Sequence, residues 1–332
     1  MQKIKGETKV KRLPSLRTIT ALFAVLPGIA LAQATFPSKA ITVVVPLAAG
    51  GPIDAETRLY TTKLAENTKW QVLVDNRGGA AGTIAMGMVL KAPADGHTLL
   101  VQSTGYTMIP ALYSDLPFDP IRDFAPVSLM STRSNMLVVT SSLPAKTVAE
   151  YIAFAKANPG KINFGDTGAG GAVHLPGAWL HSITGTQATF VHYKGTGPLL
   201  PDLVAGRIHA TNAFPVIAYP LVKAGKLRAL GVTGGKRVRQ LPDIPAISET
   251  VPGFEYSSWT GLFTAAKTPT AIVNRLSAEF VKVAKDPDIV RRLDEEYAVA
   301  EGNTPEQFRQ YLAPQFDRWR KLVQETGIKL EE

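Results

Sequence analysis

The segment Ile41–Glu56, ITVVVPLAAGGPIDAE, decides the fold of this 332-residue chain. A run rich in β-branched residues leads into the loop Gly50-Gly51-Pro52, and a helical pattern begins directly after it. In this order, backbone N–H groups and the positive end of a helix dipole point into the loop. The segment therefore predicts a strand, an anion-binding loop and a helix. The same residues also fit a tight turn in which Asp54 stabilises the helix N-terminus.

Residues 1–34 are typical of a secretion signal. Six basic residues against Glu7 give this leader a charge of about +5. The apolar run Ile19–Leu31 is too short to cross a bilayer comfortably, and small residues then allow cleavage after Ala32 or Ala34. We expect the leader to be removed from a periplasmic protein. An uncleaved membrane anchor is the alternative, whereas a lipoprotein is excluded because no cysteine can carry the lipid.

The charge and composition of the remaining chain exclude several classes of protein. The whole chain carries +9, so removal of the leader leaves about +4. Nucleic-acid binding, which needs a clustered basic face, therefore loses its support, and we expect no nucleic-acid partner. The absence of cysteine excludes disulfides and thiolate sites and is compatible with an oxidising compartment. About 300 residues remain, which is enough for two domains with their own cores.

Strand and helix patterns alternate along the chain, which predicts an α/β fold with largely parallel sheets. Several predicted strands end in loops rich in glycine or hydroxyl residues, and ligands bind at that edge of open α/β sheets. Two such domains facing each other would form a cleft. Thr147 and Glu150 predict a capping box, whereas Thr268-Pro269 and Thr304-Pro305 predict helix starts. One apolar stripe is expected on the last helix: Phe308, Leu312, Phe316, Trp319 and Val323.

Other loops contain candidate ligand-binding side chains, each with an ordinary structural alternative. Ser103 and Thr104 could donate hydroxyl groups to a carboxylate or cap the next helix. Tyr106 could stack on a ligand or pack in the core. Lys194, the one cation in the candidate loops, could pair with a carboxylate or remain a solvated surface lysine.

The sequence shows no catalytic or metal-binding pattern. The five histidines lack the His-Glu-x-x-His spacing or another ligand spacing. They are His97, His174, His181, His192 and His209. A nucleotide fingerprint, a phosphate loop, a nucleophile elbow and an acid–base carboxylate pair are also missing from the sequence. We therefore expect no enzyme activity, no cofactor and no metal.

Eight segments, taken in order, resemble the extracytoplasmic receptors of tripartite tricarboxylate transporters, which are also called Bug receptors. Each segment is weak alone, but the series is specific and extends over the whole mature chain. The segments are Val44–Gly51 with Asp54, Ala94–Leu100, Phe118–Leu129, Leu143–Thr147, Ala155–Lys161, His192–Gly195, Lys223–Leu230 and Leu241–Pro245.

The resemblance implies a type II periplasmic binding protein architecture, with two Rossmann-like α/β domains around a ligand cleft. It implies chain crossings near 131–135 and 256–261, so that 35–133 and 257–332 form domain 1 and 134–256 form domain 2. It also implies that backbone N–H groups, hydroxyl groups and waters hold a small carboxylate. The matching positions are Ala49, Gly50, Gly51, Pro52, Ile53, Asp54, Ser103, Thr104, Tyr106, Thr167, Gly168, Gly170, Gly171, His174, Lys194, Gly195, Thr196 and Asn212.

Three departures from the family pattern affect the expected ligand. Ile53 stands where a hydroxyl residue is common, and Gly171 and Ala172 stand where Thr or Ser is frequent. Asn212 is the polar residue nearest to the place of a usual Asp. Because these changes remove polar anchors, we expect a larger and less polar acid, aromatic or branched, instead of citrate or an acidic amino acid.

The resemblance further implies a monomer that delivers its ligand to the membrane permease subunits of a tripartite tricarboxylate-type transporter. A sensor that reports ligand occupancy to a signalling partner would share these features, since only the partner separates the two roles. A secreted hydrolase is the remaining alternative, and the missing nucleophile and acid–base pair argue against it.

Overall fold

The structure, a computed structural model, describes residues 36–79, 82–113, 115–168 and 170–326, together with Gln2 and Gly6. The predicted signal peptide 1–34 therefore lies outside the described residues, apart from those two. Among the helices that are described, none is long and apolar enough to cross a membrane.

Strands and helices alternate along the described chain, as the sequence predicts. The strands are β1 (Ile41–Val45), β2 (Val72–Asn76), β3 (Thr98–Ser103), β4 (Phe124–Ser134), β5 (Met136–Thr140), β6 (Ile162–Asp166), β7 (Ala188–His192), β8 (Ala210–Ala213), β9 (Leu227–Val232), β10 (Ser257–Ala265) and β11 (Ala298–Ala300). The helices are α1 (Pro52–Thr68), α2 (Thr83–Lys91), α3 (Ile109–Leu112), α4 (Val148–Ala157), α5 (His174–Thr184), α6 (Thr196–Val204), α7 (Pro215–Lys223), α8 (Thr270–Ala284), α9 (Pro287–Glu295) and α10 (Pro305–Thr326). Short 3₁₀ turns cover Thr104–Met108 and Ile247–Glu249.

The strands form two mixed sheets, which corrects the expectation of largely parallel sheets. The first has the order β11-β4-β10-β3-β1-β2 and the second β7-β6-β8-β5-β9. Strand β10 is antiparallel to β3 and β4, and β5 is antiparallel to β8 and β9. These two reversed strands are the first that the chain forms after it passes from one sheet to the other: β5 follows β4 of the first sheet after only Asn135, and β10 follows β9 of the second sheet.

Helices cover both faces of the first sheet because successive strand residues point to opposite sides. Val43 and Val45 pack in a buried cluster with α1 and α8, whereas Val44 packs in another with α2 and α10. The apolar stripe of α10 is confirmed, and it contacts both sheets. Phe308 and neighbouring stripe residues pack in a first-sheet cluster. Trp319 and the last turns of α10 pack with residues of the second sheet.

Helix ends show which capping predictions hold. Thr147 Oγ1 accepts the Glu150 N–H, and Thr304 forms a reciprocal capping box with Gln307. The Thr268 prediction is wrong, because α8 begins at Thr270 with Pro269 as its N-cap. The Thr268 N–H bonds the Ala265 carbonyl in a turn, and its hydroxyl group contacts Thr264.

The described residues from Phe36 to Thr326 form one compact unit that contains both sheets. The division into two domains at 133/134 and 256/257 stays a prediction. The chain nevertheless passes from the first sheet to the second at Asn135, and it returns to the first sheet between Val232 and Ser257.

Candidate functional site

Asn135 lies where the chain first passes between the sheets, and it is hydrogen-bonded to the segment through which the chain returns. It is fully buried, and its backbone N–H donates to Thr233 Oγ1 at 2.8 Å. Its side-chain oxygen accepts from Ser258 Oγ at 3.1 Å, and its side-chain nitrogen donates to the Ala172 carbonyl at 3.0 Å. Through this last bond, the crossing is tied directly to the loop between β6 and α5.

The loop between β1 and α1 is held in shape by Asp54, which is 3% exposed. Its carboxylate accepts the Gly50 N–H at 2.8 Å, Asn76 Nδ2 at 3.0 Å and Arg58 Nε at 3.1 Å. Burial by itself would raise the pKa of Asp54, but the hydrogen bonds from Arg58, Gly50 and Asn76 lower it below the usual value. Asp54 therefore stays ionised and orders the loop from within the protein.

Ile53, whose apolar character suggested a less polar ligand, packs partly against the core of the first sheet. It follows Pro52, the first residue of α1. Its side chain is therefore engaged in packing beneath the loop.

The segment after β3 combines packing with access to a cavity. Ser103 does not cap the 3₁₀ turn that follows it. Thr104 is buried, and its hydroxyl oxygen accepts the Trp259 N–H at 3.0 Å. The Tyr106 hydroxyl group donates to the Pro120 carbonyl, and the ring lies 4.7 Å from the Phe263 ring. Tyr106 thus packs in an aromatic cluster, the simpler of its two interpretations.

The loop between β6 and α5 is ordered by Asp166 and His174. The buried Asp166 carboxylate accepts the Gly168 N–H at 2.7 Å and contacts His192 Nδ1 at 2.7 Å. His174 Nδ1 accepts the Gly170 N–H at 3.3 Å. Burial lowers the pKa of His174, with Asp166 opposing and His192 reinforcing that effect. The ring is thereby kept neutral, as an acceptor at Nδ1 must be.

The remaining predicted residues of the second sheet differ sharply in environment. Lys194 is exposed, and Gly195 is the N-cap of α6, which starts at Thr196. Asn212 at the end of β8 is 1% exposed, and neither polar atom of its side chain has a partner in the described structure. A buried amide in this state is costly unless water or a ligand completes its hydrogen bonds.

A cavity of about 350 Å³ lies between loops of the two sheets. Its size is at the lower end for small-molecule sites. Four predicted residues line it: Ser103, Tyr106, Gly170 and Gly171. The rest of the predicted set is not among the lining residues: Ala49, Gly50, Gly51, Pro52, Ile53, Asp54, Thr104, Thr167, Gly168, His174, Lys194, Gly195, Thr196 and Asn212.

Sequence reasoning missed much of the cavity wall. The additional lining residues are Pro46, Leu47, Gly79, Gly82, Gln102, Gly105, Met108, Ile109, Leu112 and Tyr113. Gly79 and Gly82 had a readable signal, because they belong to a glycine-rich loop that follows β2 and leads into α2, just as Gly50 follows β1. Gln102 and Met108 had none, since their side chains reach the cavity only through the tertiary fold.

A larger cavity of about 840 Å³ contains none of the predicted site residues. It is lined by Ser134, Ser257 and the segment 234–240, among others. At its edge, Arg239 and Gln240 hydrogen-bond to Asp294. We favour the smaller cavity as the ligand site because it joins loops at the carboxyl ends of parallel strands from both sheets. In the described part of the chain, no cluster of three or more histidine or acidic residues could hold a metal ion.

The chain is similar in sequence and fold to proteins of known family and structure. The model of the tripartite tricarboxylate transporter family receptor matches residues 57–328. A UPF0065 protein from the tcbD-tcbE intergenic region of Pseudomonas sp. (strain P51) is 38% identical, over 93% of this chain and 95% of the relative. The structure of R. palustris Rpa4515 with adipate has 34% identity and a TM-score of 0.74, covering 89% of this chain and 99% of that one. MatC from Rhodopseudomonas palustris with bound malate has 32% identity and a TM-score of 0.71, over 87% and 100%.

Proposed function

Because this chain belongs to the tripartite tricarboxylate transporter receptor family, we propose that it is an exported receptor that binds a small carboxylate and delivers it to the permease subunits of such a transporter. The observation that carries this proposal is the cavity of about 350 Å³, which is bordered by loops from both sheets. A ligand held by both sets of loops favours one relative arrangement of the sheets, and a permease can recognise that arrangement.

The chemistry of the bordering loops suits an anion. The glycine-rich loops before α1 and α2 offer backbone N–H groups beside the positive ends of helix dipoles. Ser103 adds a hydroxyl group at the end of β3. Two relatives of known structure are described with adipate and with malate, which are both small carboxylates. These observations support a carboxylate as the ligand.

The wall of the cavity favours an acid that is less polar than citrate. Leu47, Met108, Ile109 and Leu112 line it together with Pro46. An aromatic or branched acid would bury apolar surface against these side chains, whereas the hydroxyl groups of citrate would lose hydrogen bonds to water there.

The proposal includes a monomeric protein in the periplasm, released from its leader after Ala32 or Ala34. It also includes two domains, 35–133 with 257–332 and 134–256, that close on the ligand around Asn135. N-terminal sequencing of the exported protein tests the cleavage site. Small-angle scattering with and without ligand tests closure, and an unchanged scattering curve at saturation would contradict it.

The central experiment identifies the ligand by mass spectrometry of small molecules that co-purify with the mature protein, followed by calorimetry with the compound found. We expect a carboxylic acid. A ligand without a carboxylate, or the formation of product in a turnover assay, would refute the proposal.

A variant of the β1–α1 loop tests whether that loop takes part. A Cβ atom on Gly51 would meet only the Ala48 carbonyl oxygen, at 3.7 Å, so Gly51→Val leaves the fold intact. Gly51 is not among the residues that line the cavity of about 350 Å³. If the loop reaches the ligand when the protein closes, the added side chain blocks close backbone approach, and we expect binding to be abolished. Gly87→Val in α2, where a Cβ also meets open space, is the matched control. Equal affinity of the two variants would exclude the loop from the site.

A further inference from the structure

The cavity of about 350 Å³ has no charged side chain among its described lining residues. Its polar side chains belong to Gln102, Ser103 and the two tyrosines Tyr106 and Tyr113. The residues next to these lining segments that the structure does not describe are Ala80, Ala81, Ser114 and Ala169, and none of them carries a charge. An anion in this cavity therefore meets neutral donors and no counter-charge.

The charged groups in the bordering loops do not supply that counter-charge. Asp54 and Asp166 are buried acids that already accept hydrogen bonds from within their own loops. Arg58 is bonded to Asp54, and Lys194 is exposed and is not among the lining residues. Arg77, two residues before Gly79, is also outside the lining, and its exposed side chain is paired with Asp75. The two buried groups of this set, Asp54 and Asp166, are negative, and a negative charge disfavours another one nearby.

Gln102 offers an unused donor on the cavity wall. Its side chain is 3% exposed, and its Nε2 has no partner within the described residues. The amide lies against Gly82, where a Cβ atom would be 3.3 Å from Nε2. A buried N–H group without an acceptor is unfavourable, and a ligand oxygen at this position would satisfy it.

We propose, on the basis of the receptor function above, that the site selects acids with a single carboxylate and an apolar body, and that Gln102 donates a hydrogen bond to that carboxylate. One carboxylate can be held by neutral donors, as oxyanions are at helix N-termini. A second carboxylate would lose its hydration without a cation to replace it, and this penalty is large. The apolar wall around Met108 and Leu112 instead takes a hydrocarbon group.

Calorimetry at pH 7 on the mature protein tests the preference for a single carboxylate with two pairs of probes. Hexanoate and adipate share a six-carbon chain, and benzoate and terephthalate share a ring. Within each pair the compounds differ by one carboxylate. We expect at least one monocarboxylate to bind at least about tenfold more tightly than its dicarboxylate partner, a factor that corresponds to about 1.4 kcal/mol.

Two variants test the role of Gln102. Gln102→Leu keeps the approximate volume and removes the amide, so monocarboxylate affinity should fall at least about tenfold. The unfolding temperature of the ligand-free variant should be equal or higher, because a buried unpaired donor is removed. A purely structural role would lower that temperature instead. Gln187→Leu changes an exposed glutamine and should leave affinity unchanged.

The outcomes separate this inference from the receptor function. If adipate binds as tightly as hexanoate or more tightly, and terephthalate does so relative to benzoate, the preference for a single carboxylate is overturned. The proposed carboxylate receptor would then still stand. Preserved monocarboxylate affinity in Gln102→Leu would overturn the assignment of that donor. Binding of malate or citrate with no binding of the four acids would likewise overturn the preference for a single carboxylate and leave the receptor function standing. The receptor proposal itself fails only if the co-purifying ligand has no carboxylate or if product is formed.

Discussion

Replacement of Asp54 by alanine gives the sharpest test of how the β1–α1 loop is built. The carboxylate accepts three hydrogen bonds of 2.8–3.1 Å while it is 3% exposed. Hydrogen bonds to a charged group contribute about 1.5–3 kcal/mol each. Arg58 is half exposed and Gly50 is exposed, so water replaces part of what they lose. We therefore expect Asp54→Ala to lower the free energy of unfolding by about 2–3 kcal/mol.

The pH dependence of this loss follows from the lowered pKa of Asp54. An acid whose pKa is lower in the folded state stabilises the protein above its unfolded pKa, about 3.9, and that stabilisation is lost as the pH falls through the folded value. The difference in unfolding free energy between wild type and Asp54→Ala should be full at pH 7, begin to shrink near pH 4 and be smaller at pH 3.

Urea unfolding followed by circular dichroism at pH 7, 5 and 3 measures this difference. Asp115→Ala, which changes an exposed aspartate, is the control and should stay within about 0.5 kcal/mol of wild type. A loss below that limit for Asp54→Ala at pH 7, or an equal loss at pH 7 and pH 3, would refute the reasoning.

Two further substitutions test the packing around α10. Thr304→Ala removes the N-cap of this helix and should cost about 1 kcal/mol in urea unfolding; an unchanged midpoint would show that the cap is dispensable. Gly261→Ala places a Cβ atom within overlap distance of the Phe308 ring, so overpacking should cost about 1–3 kcal/mol. Wild-type stability of that variant would mean that the ring moves aside freely.

Local sequence signals predicted local structure well. The strand, loop and helix of Ile41–Glu56 occur as expected, because hydrophobic pattern, glycine and helix start lie within one short segment. The Thr304 cap holds for the same reason, since its partner is Gln307, three residues away. Thr268 carries a similar signal, but its hydroxyl group bonds to the hydroxyl group of Thr264, and α8 begins two residues later, at Thr270.

The pairing of strands that lie far apart in the sequence was not predicted. Strand β10 lies between β3 and β4, whose residues are more than a hundred positions away in the sequence. Its reversed direction follows from the passage between sheets, which no local pattern encodes. The cavity shows the same limit: the loops could be located from strand ends, whereas the contact between Gln102 of β3 and Gly82 of the loop before α2 exists only in the tertiary fold. Ile53 is a further example: its side chain is partly buried against the core of the first sheet, and its expected role at the site stays a prediction.

The crossing between the sheets contacts residues that line, or lie next to, both cavities. Ser134 and Ser257 are paired on neighbouring strands and line the cavity of about 840 Å³. The next residues along the chain, Asn135 and Ser258, point the other way, as successive residues of extended chain do. They bond to each other, and Asn135 reaches Ala172 in the loop whose glycines line the smaller cavity. Asn135 therefore links the strand pair whose neighbouring serines line the larger cavity to the loop that borders the smaller cavity.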